Sequence, residues 1–140
     1  MPERRGILEH FFLSAAGIPA EVTARYPLTR RLCRDYELPA PDAPVSITVS
    51  VSPEEMTRMA ASGDLHQPSP AYLEFLCVQD QLASQLPAFG RFLMHGAAIA
   101  YNGAAYLFTA PSGTGKSTHI RLWRQYLGSG VSVINGDKPF

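Results

Sequence analysis

Thr109-Ala110-Pro111-Ser112-Gly113-Thr114-Gly115-Lys116-Ser117-Thr118 lies between a strand-like run and a helix-like run, and the architecture around it follows from its chemistry. Two glycines and a small polar residue let the backbone curl so that consecutive N–H groups, those of residues 112 to 117, point inward at phosphate oxygens. The following helix adds its positive N-terminal end. Lys116 is placed to reach the outer phosphates as a point charge, and the Ser117 hydroxyl to take one position on a magnesium ion. This is a phosphate-binding loop of the Walker A kind, with Pro111, Ser112, Gly113, Thr114, Gly115, Lys116, Ser117 and Thr118 as the ligand-binding residues. Ala110 stands where the full pattern has glycine, a departure of one methyl group.

The flanks carry the order that such a loop requires. Ala104-Ala105-Tyr106-Leu107-Phe108 is a short apolar run consistent with a buried strand. After the loop, Ile120, Leu122, Trp123, Tyr126 and Leu127 have helical spacing, and Gly128 supplies a C-terminal stop. Upstream, Phe92 to Tyr101 runs into Asn102-Gly103, the strongest short-range hairpin signal because a tight turn of type I′ needs positive φ at both central residues. The loop strand is therefore expected to have an antiparallel neighbour immediately before it. Val131-Ser132-Val133-Ile134 reads as a further strand leading to Asn135-Gly136-Asp137. An acidic residue there can hold magnesium or accept a proton from an attacking hydroxyl.

Together, His95-Gly96, the Asn-Gly hairpin, the loop from Ala110 to Ser117 and the strand ending at Asp137 resemble the catalytic core of HPr kinase/phosphorylase, which is similar to the nucleotide site of phosphoenolpyruvate carboxykinase. The resemblance covers roughly residues 89 to 140. It implies an α/β fold with a mixed sheet, an antiparallel hairpin leading into the P-loop strand and helix, and an incomplete carboxykinase-like core. It also implies ATP and Mg2+ as cofactors, γ-phosphoryl transfer to a serine hydroxyl of a protein or peptide, and an oligomeric assembly. By position, Lys116 and Ser117 match the phosphate- and metal-binding pair, Asp137 matches the first of two acidic residues, and His95 matches a histidine near the phosphates. The implied catalytic set is Asp137, Lys116 and His95, and the implied metal ligands are Ser117 and Asp137. Asp137-Lys138 replaces the family's two adjacent acids, and Thr118 stands where the bacterial kinase carries an acid, so the chain resembles a divergent branch. Two alternatives stay open: a catalytically inactive nucleotide-binding regulatory module, and a small-molecule or carboxykinase-like phosphotransferase.

Composition fits a globular chain of 140 residues, with 46% hydrophobic and 17% charged residues. Twelve basic and twelve acidic residues cancel, which offers no electrostatic case for nucleic acid or an anionic membrane. No apolar run approaches the roughly 20 residues needed to span a bilayer. The stretch Met1 to His10 lacks the apolar core of a signal peptide, so a cytoplasmic location is expected. Cys33 and Cys77 have no metal-ligand spacing and are read as reduced structural residues. The ending at Phe140, three residues after Asp137, is read as the cut edge of a longer protein, because a phosphate-loop sheet needs further elements to cover its faces.

Residues 1–88 form an N-terminal α/β segment of unclear role, and 89–140 the start of the kinase-like core. In the first segment Phe11-Phe12-Leu13 reads as a strand, and Pro27 to Cys33 as a turn or short basic helix. Val45 to Val51 alternates as a half-buried strand with its odd-numbered face apolar. Ser52-Pro53-Glu54-Glu55 opens a helix through about Ala60. After a break from Gly63 to Pro70, a helix from Ala71 to about Leu86 carries a stripe of Tyr72, Phe75, Leu76, Leu82, Ala83 and Leu86, assigned to packing. Arg25, Arg30, Arg31 and Arg34 form a basic cluster that can meet an acidic partner or simply be solvated. His119, two residues past Ser117, is assigned to the surface or to support of the site, on a different helix face.

Overall fold

Alternation of buried apolar residues with more exposed ones builds the first sheet. The computed structural model describes residues 8–62, 67–111 and 113–135, and these divide into two compact units, Met1–Phe92 and Leu93–Phe140. The expectations for Gly63, Ser112, Asp137 and Lys138 lie outside the described residues.

In the first unit, β1 (Glu9–Ala15) and β2 (Ile18–Ala24) form an antiparallel hairpin. Its turn places Ala16 at φ 51° and Gly17 at φ 83°, the left-handed pair a tight I′-type connection needs. β3 (Glu37–Leu38) pairs antiparallel with β1, and β4 (Ile47–Ser50) pairs parallel with β2, so the sheet is mixed, in the order β3-β1-β2-β4. Phe11, Leu13, Ala20, Val22, Ile47 and Val49 are buried on one face. Each large side chain among them contributes about 1.5–3 kcal/mol by leaving water. Pro19 is tolerated in β2 because β4 pairing begins only at Ala20, so its missing N–H costs no ladder bond on that side.

Three helices follow the expected signals: α1 (Pro27–Leu32), α2 (Pro53–Ser62) and α3 (Pro70–Gln85). The Ser52 hydroxyl accepts from the Glu55 N–H at 3.2 Å while the Glu55 carboxylate accepts from the Ser52 N–H at 2.7 Å, a reciprocal capping box. α3 packs against α1, α2 and β4. Its buried face differs from the expected stripe: Leu73, Glu74, Cys77, Val78 and Gln79 are buried beside Phe75 and Leu82, and Tyr72 is exposed. Two polar side chains interrupt the apolar pattern, which shifted the apparent face. Glu74 is one of them, and it is fully buried. Its carboxylate accepts from the N–H of Arg25 at 2.7 Å, the N–H of Tyr26 at 3.1 Å and the Thr29 hydroxyl at 2.6 Å. Those donors sit at the start of α1, whose N-cap Tyr26 has no side-chain cap of its own. Cys33 and Cys77 are buried and unbridged, and burial pushes the Cys33 thiol up to about 12 and the Cys77 thiol up as well.

The second unit is built on the Asn-Gly hairpin. β5 (Ala97–Tyr101) and β6 (Ala104–Phe108) pair antiparallel across Asn102 at φ 48° and Gly103 at φ 76°. The loop then leads into α4 (Lys116–Leu127), a short 3-10 turn at Gly128–Gly130, and β7 (Ser132–Asn135). β7 returns beside β5 rather than β6, giving the order β6-β5-β7 with both pairings antiparallel. The hairpin therefore belongs to an antiparallel sheet, and the mixed sheet is the one in the first unit. Ala97, Ile99, Ile120 and Val131 form the small core, with Tyr101, Phe108 and Trp123 packed around it.

Two expectations for this unit change. β6 is an edge strand among the described residues rather than a buried one: Ala104 to Leu107 are exposed. α4 buries only a narrow stripe, since Leu122, Tyr126 and Leu127 are exposed while Ile120 is buried. One helix on a three-stranded sheet covers a single face, so apolar residues on the far sides of both elements stay in solvent.

Candidate functional site

The site begins where β6 ends. Gly96, just ahead of β5, lies against that strand end: a Cβ there would stand 2.9 Å from the Phe108 carbonyl oxygen and 3.3 Å from the Thr109 side chain. Only glycine allows this approach, so the backbone at Gly96 abuts the start of the loop. His95 itself is exposed on the segment before β5.

Gly113 at φ 82° and Gly115 at φ 108° turn the backbone through left-handed conformations that side chains disfavour. Between them, Thr114 ties the curl to its start: its N–H and its hydroxyl both donate to the Pro111 carbonyl, at 3.3 and 2.7 Å. Gly115 is the N-cap, and its carbonyl accepts from the His119 N–H at 2.9 Å to close the first turn of α4.

Lys116 is 9% exposed, and its ammonium donates to the carbonyls of Ala110 at 2.7 Å and Pro111 at 3.2 Å. An ammonium withdrawn from water is costly unless hydrogen-bonded, and two neutral carbonyls satisfy two of its three donors. Among the described residues Lys116 has no ion pair with an acidic side chain. The cation is thus held inside the curl by groups weaker as acceptors than a charged phosphate oxygen. Thr109, Ala110, Thr114, Gly115, Lys116 and His119 line a cleft of about 450 Å³, within the size range of small-ligand pockets.

His119 is exposed on α4, at the surface as its spacing from Ser117 implies. Counted from Lys116 it is three residues on, which puts both on one side of the helix. Its ring meets Phe108 edge-on at 4.6 Å between centroids, and its Nε2 accepts from the Trp123 indole N–H at 3.1 Å. Trp123 in turn packs on Tyr106 and Phe108, at 5.0 and 5.8 Å between centroids.

Ser117 and Thr118 are exposed in the first turn of α4. Ser117 lines a second cleft of about 660 Å³ with Ile120, Arg121, Arg124 and Val131, on the flank away from Lys116. The structure therefore joins Thr114, Gly115, Lys116 and His119 in one concavity, with Pro111 tied to it through Thr114 and Lys116, and it places Ser117 on a separate cleft. Because Ala98 faces both Leu107 of β6 and Asn135 of β7, those two strands run the same way and the chain leaves both at one edge of the sheet. Among the described residues no group of three His, Cys, Asp or Glu side chains could hold a metal, and no helix is long and apolar enough to cross a membrane.

The basic cluster of the first unit is partly used internally. Arg30 forms ion pairs with Glu9 and Glu37, which raise its affinity for its proton and hold the Glu37 carboxyl below the usual range. No family model, curated protein or solved structure matches the chain.

Proposed function

We propose that the second unit binds a nucleoside triphosphate with magnesium at the glycine loop and passes its terminal phosphoryl group to a serine hydroxyl of a protein or peptide. The observation that supports this reading best is the Lys116 ammonium, buried in a curl made by Gly113 and Gly115 and held, among the described residues, by the carbonyls of Ala110 and Pro111. A structural lysine needs no such curl; a phosphate-binding one does.

In this reading the loop N–H groups and Lys116 bind and orient the phosphate chain, and the N-terminal end of α4 adds its partial positive charge. ATP would bring the transferable group, and magnesium would neutralise charge on its oxygens. The Ser117 hydroxyl is a hard oxygen donor of the kind magnesium takes, and a site completed by phosphates and water needs few protein ligands. The parallel course of β6 and β7 favours Asp137, two residues beyond Asn135, as the acidic partner that holds the metal or receives the serine proton. His95, the neighbour in sequence of Gly96, is the remaining candidate for a contact to phosphate.

Labelled γ-phosphate and a serine-containing peptide library test the transfer step. Asp137→Asn is expected to keep nucleotide affinity within about threefold while losing transfer by at least about a hundredfold, the usual loss when a general base is removed. Equal transfer by the native chain and Asp137→Asn would remove Asp137 from the mechanism.

A further inference from the structure

We infer that His119 is a ligand-contact residue of the loop cleft, presenting its Nδ1–H to an oxygen of the bound phosphate chain; this rests on the reading of the loop as a phosphate site. The indole N–H of Trp123 can only donate, so the His119 Nε2 that receives it at 3.1 Å carries no proton. The ring proton of the neutral imidazole is then on Nδ1. That N–H has no protein acceptor among the described residues. The ring is also restrained: Phe108 stands edge-on to it at 4.6 Å, and Trp123 is itself packed on Tyr106 and Phe108. His119 lines the same cleft as the Lys116 ammonium, three residues along one helix face. A ring held in one tautomer by an indole, in the cleft that Lys116 also lines, is suited to offering its remaining donor to an anionic acceptor. Setting a donor in advance lowers the ordering cost of binding. Lys116 supplies charge there, and His119 supplies direction.

Two substitutions separate this role from a purely structural one. Asn places its amide N–H₂ near the position of Nδ1 and keeps the donor; Gln reaches the position of Nε2 and can keep the acceptor for Trp123. Binding of inorganic tripolyphosphate with magnesium to the whole chain is measured by calorimetry for the native protein, His119→Asn, His119→Gln and Lys116→Ala. His119→Asn is expected to bind within about threefold of native, and His119→Gln about tenfold more weakly, the size of one hydrogen bond to a charged group. In ¹⁵N-histidine spectra the native protein should show the Nδ1–H tautomer at His119, and that resonance should move on adding tripolyphosphate. Native-like binding by His119→Gln, or an unmoved Nδ1 resonance on saturation, would overturn the contact while leaving the loop reading intact. Binding by Lys116→Ala as tight as native would instead overturn the loop reading.

Discussion

Glu74 shows how a single side chain can decide the stability of the first unit. It is fully buried on α3, yet its carboxylate meets three donors at the start of α1, so it caps a helix that has no cap of its own. Glu74→Ala leaves those donors with no partner inside the fold. A loss of about 3 kcal/mol is expected, in line with the cost of stranded buried polar groups. Chemical denaturation checks it, and a midpoint unchanged from native would mean that water replaces the carboxylate without penalty. Nothing in the local sequence marks Glu74 as buried, because a glutamate in a helix is ordinarily a solvated residue. The same limit applies to His119, whose place beside Lys116 follows from helix spacing but whose tautomer depends on Trp123. Gly113, Gly115 and Lys116 were legible, since left-handed turns and a lysine at that spacing leave few alternative uses.

Among the elements, those with punctuation at both ends were readable and those without were not. The Asn102-Gly103 hairpin, the Ser52 capping box and the Gly128 stop all stand where turn and cap chemistry put them. β2 was missed because Ala16-Gly17 is a weaker turn signal than Asn-Gly, and because Pro19 argues against a strand. The neighbour of β7 was not legible, because pairing with β5 rather than β6 depends on where α4 crosses the sheet. At this scale the sensitive joint is Gly96 against the end of β6. Gly96→Ala forces a methyl group to within 2.9 Å of the Phe108 carbonyl oxygen, which is backbone and cannot rotate away. Parting of β5 and β6 at that end is expected, costing about 1–3 kcal/mol as overpacking does. Faster amide hydrogen exchange around Ala97 and Phe108 would register it, and unchanged exchange would show that the strands adjust without parting.

Considered whole, the chain pairs a first unit with a well-filled core and a second with a small one. Among its described residues the second unit has four buried core residues and leaves Leu107, Val133 and Ile134 in solvent, yet it spends three glycines on the loop region, at Gly96, Gly113 and Gly115. Such an arrangement sacrifices packing for a backbone that can approach a ligand closely. The central claim is therefore that this backbone and Lys116 together bind the phosphates of a nucleotide. Calorimetric titration of the native chain and of Lys116→Ala with ATP and magnesium tests that claim most directly. Saturable binding by the native chain is predicted, weakened by about a hundredfold or more in Lys116→Ala, since truncating one partner of a desolvated charge pair carries a penalty of that order. Equal affinities, or no binding by the native chain, would contradict it.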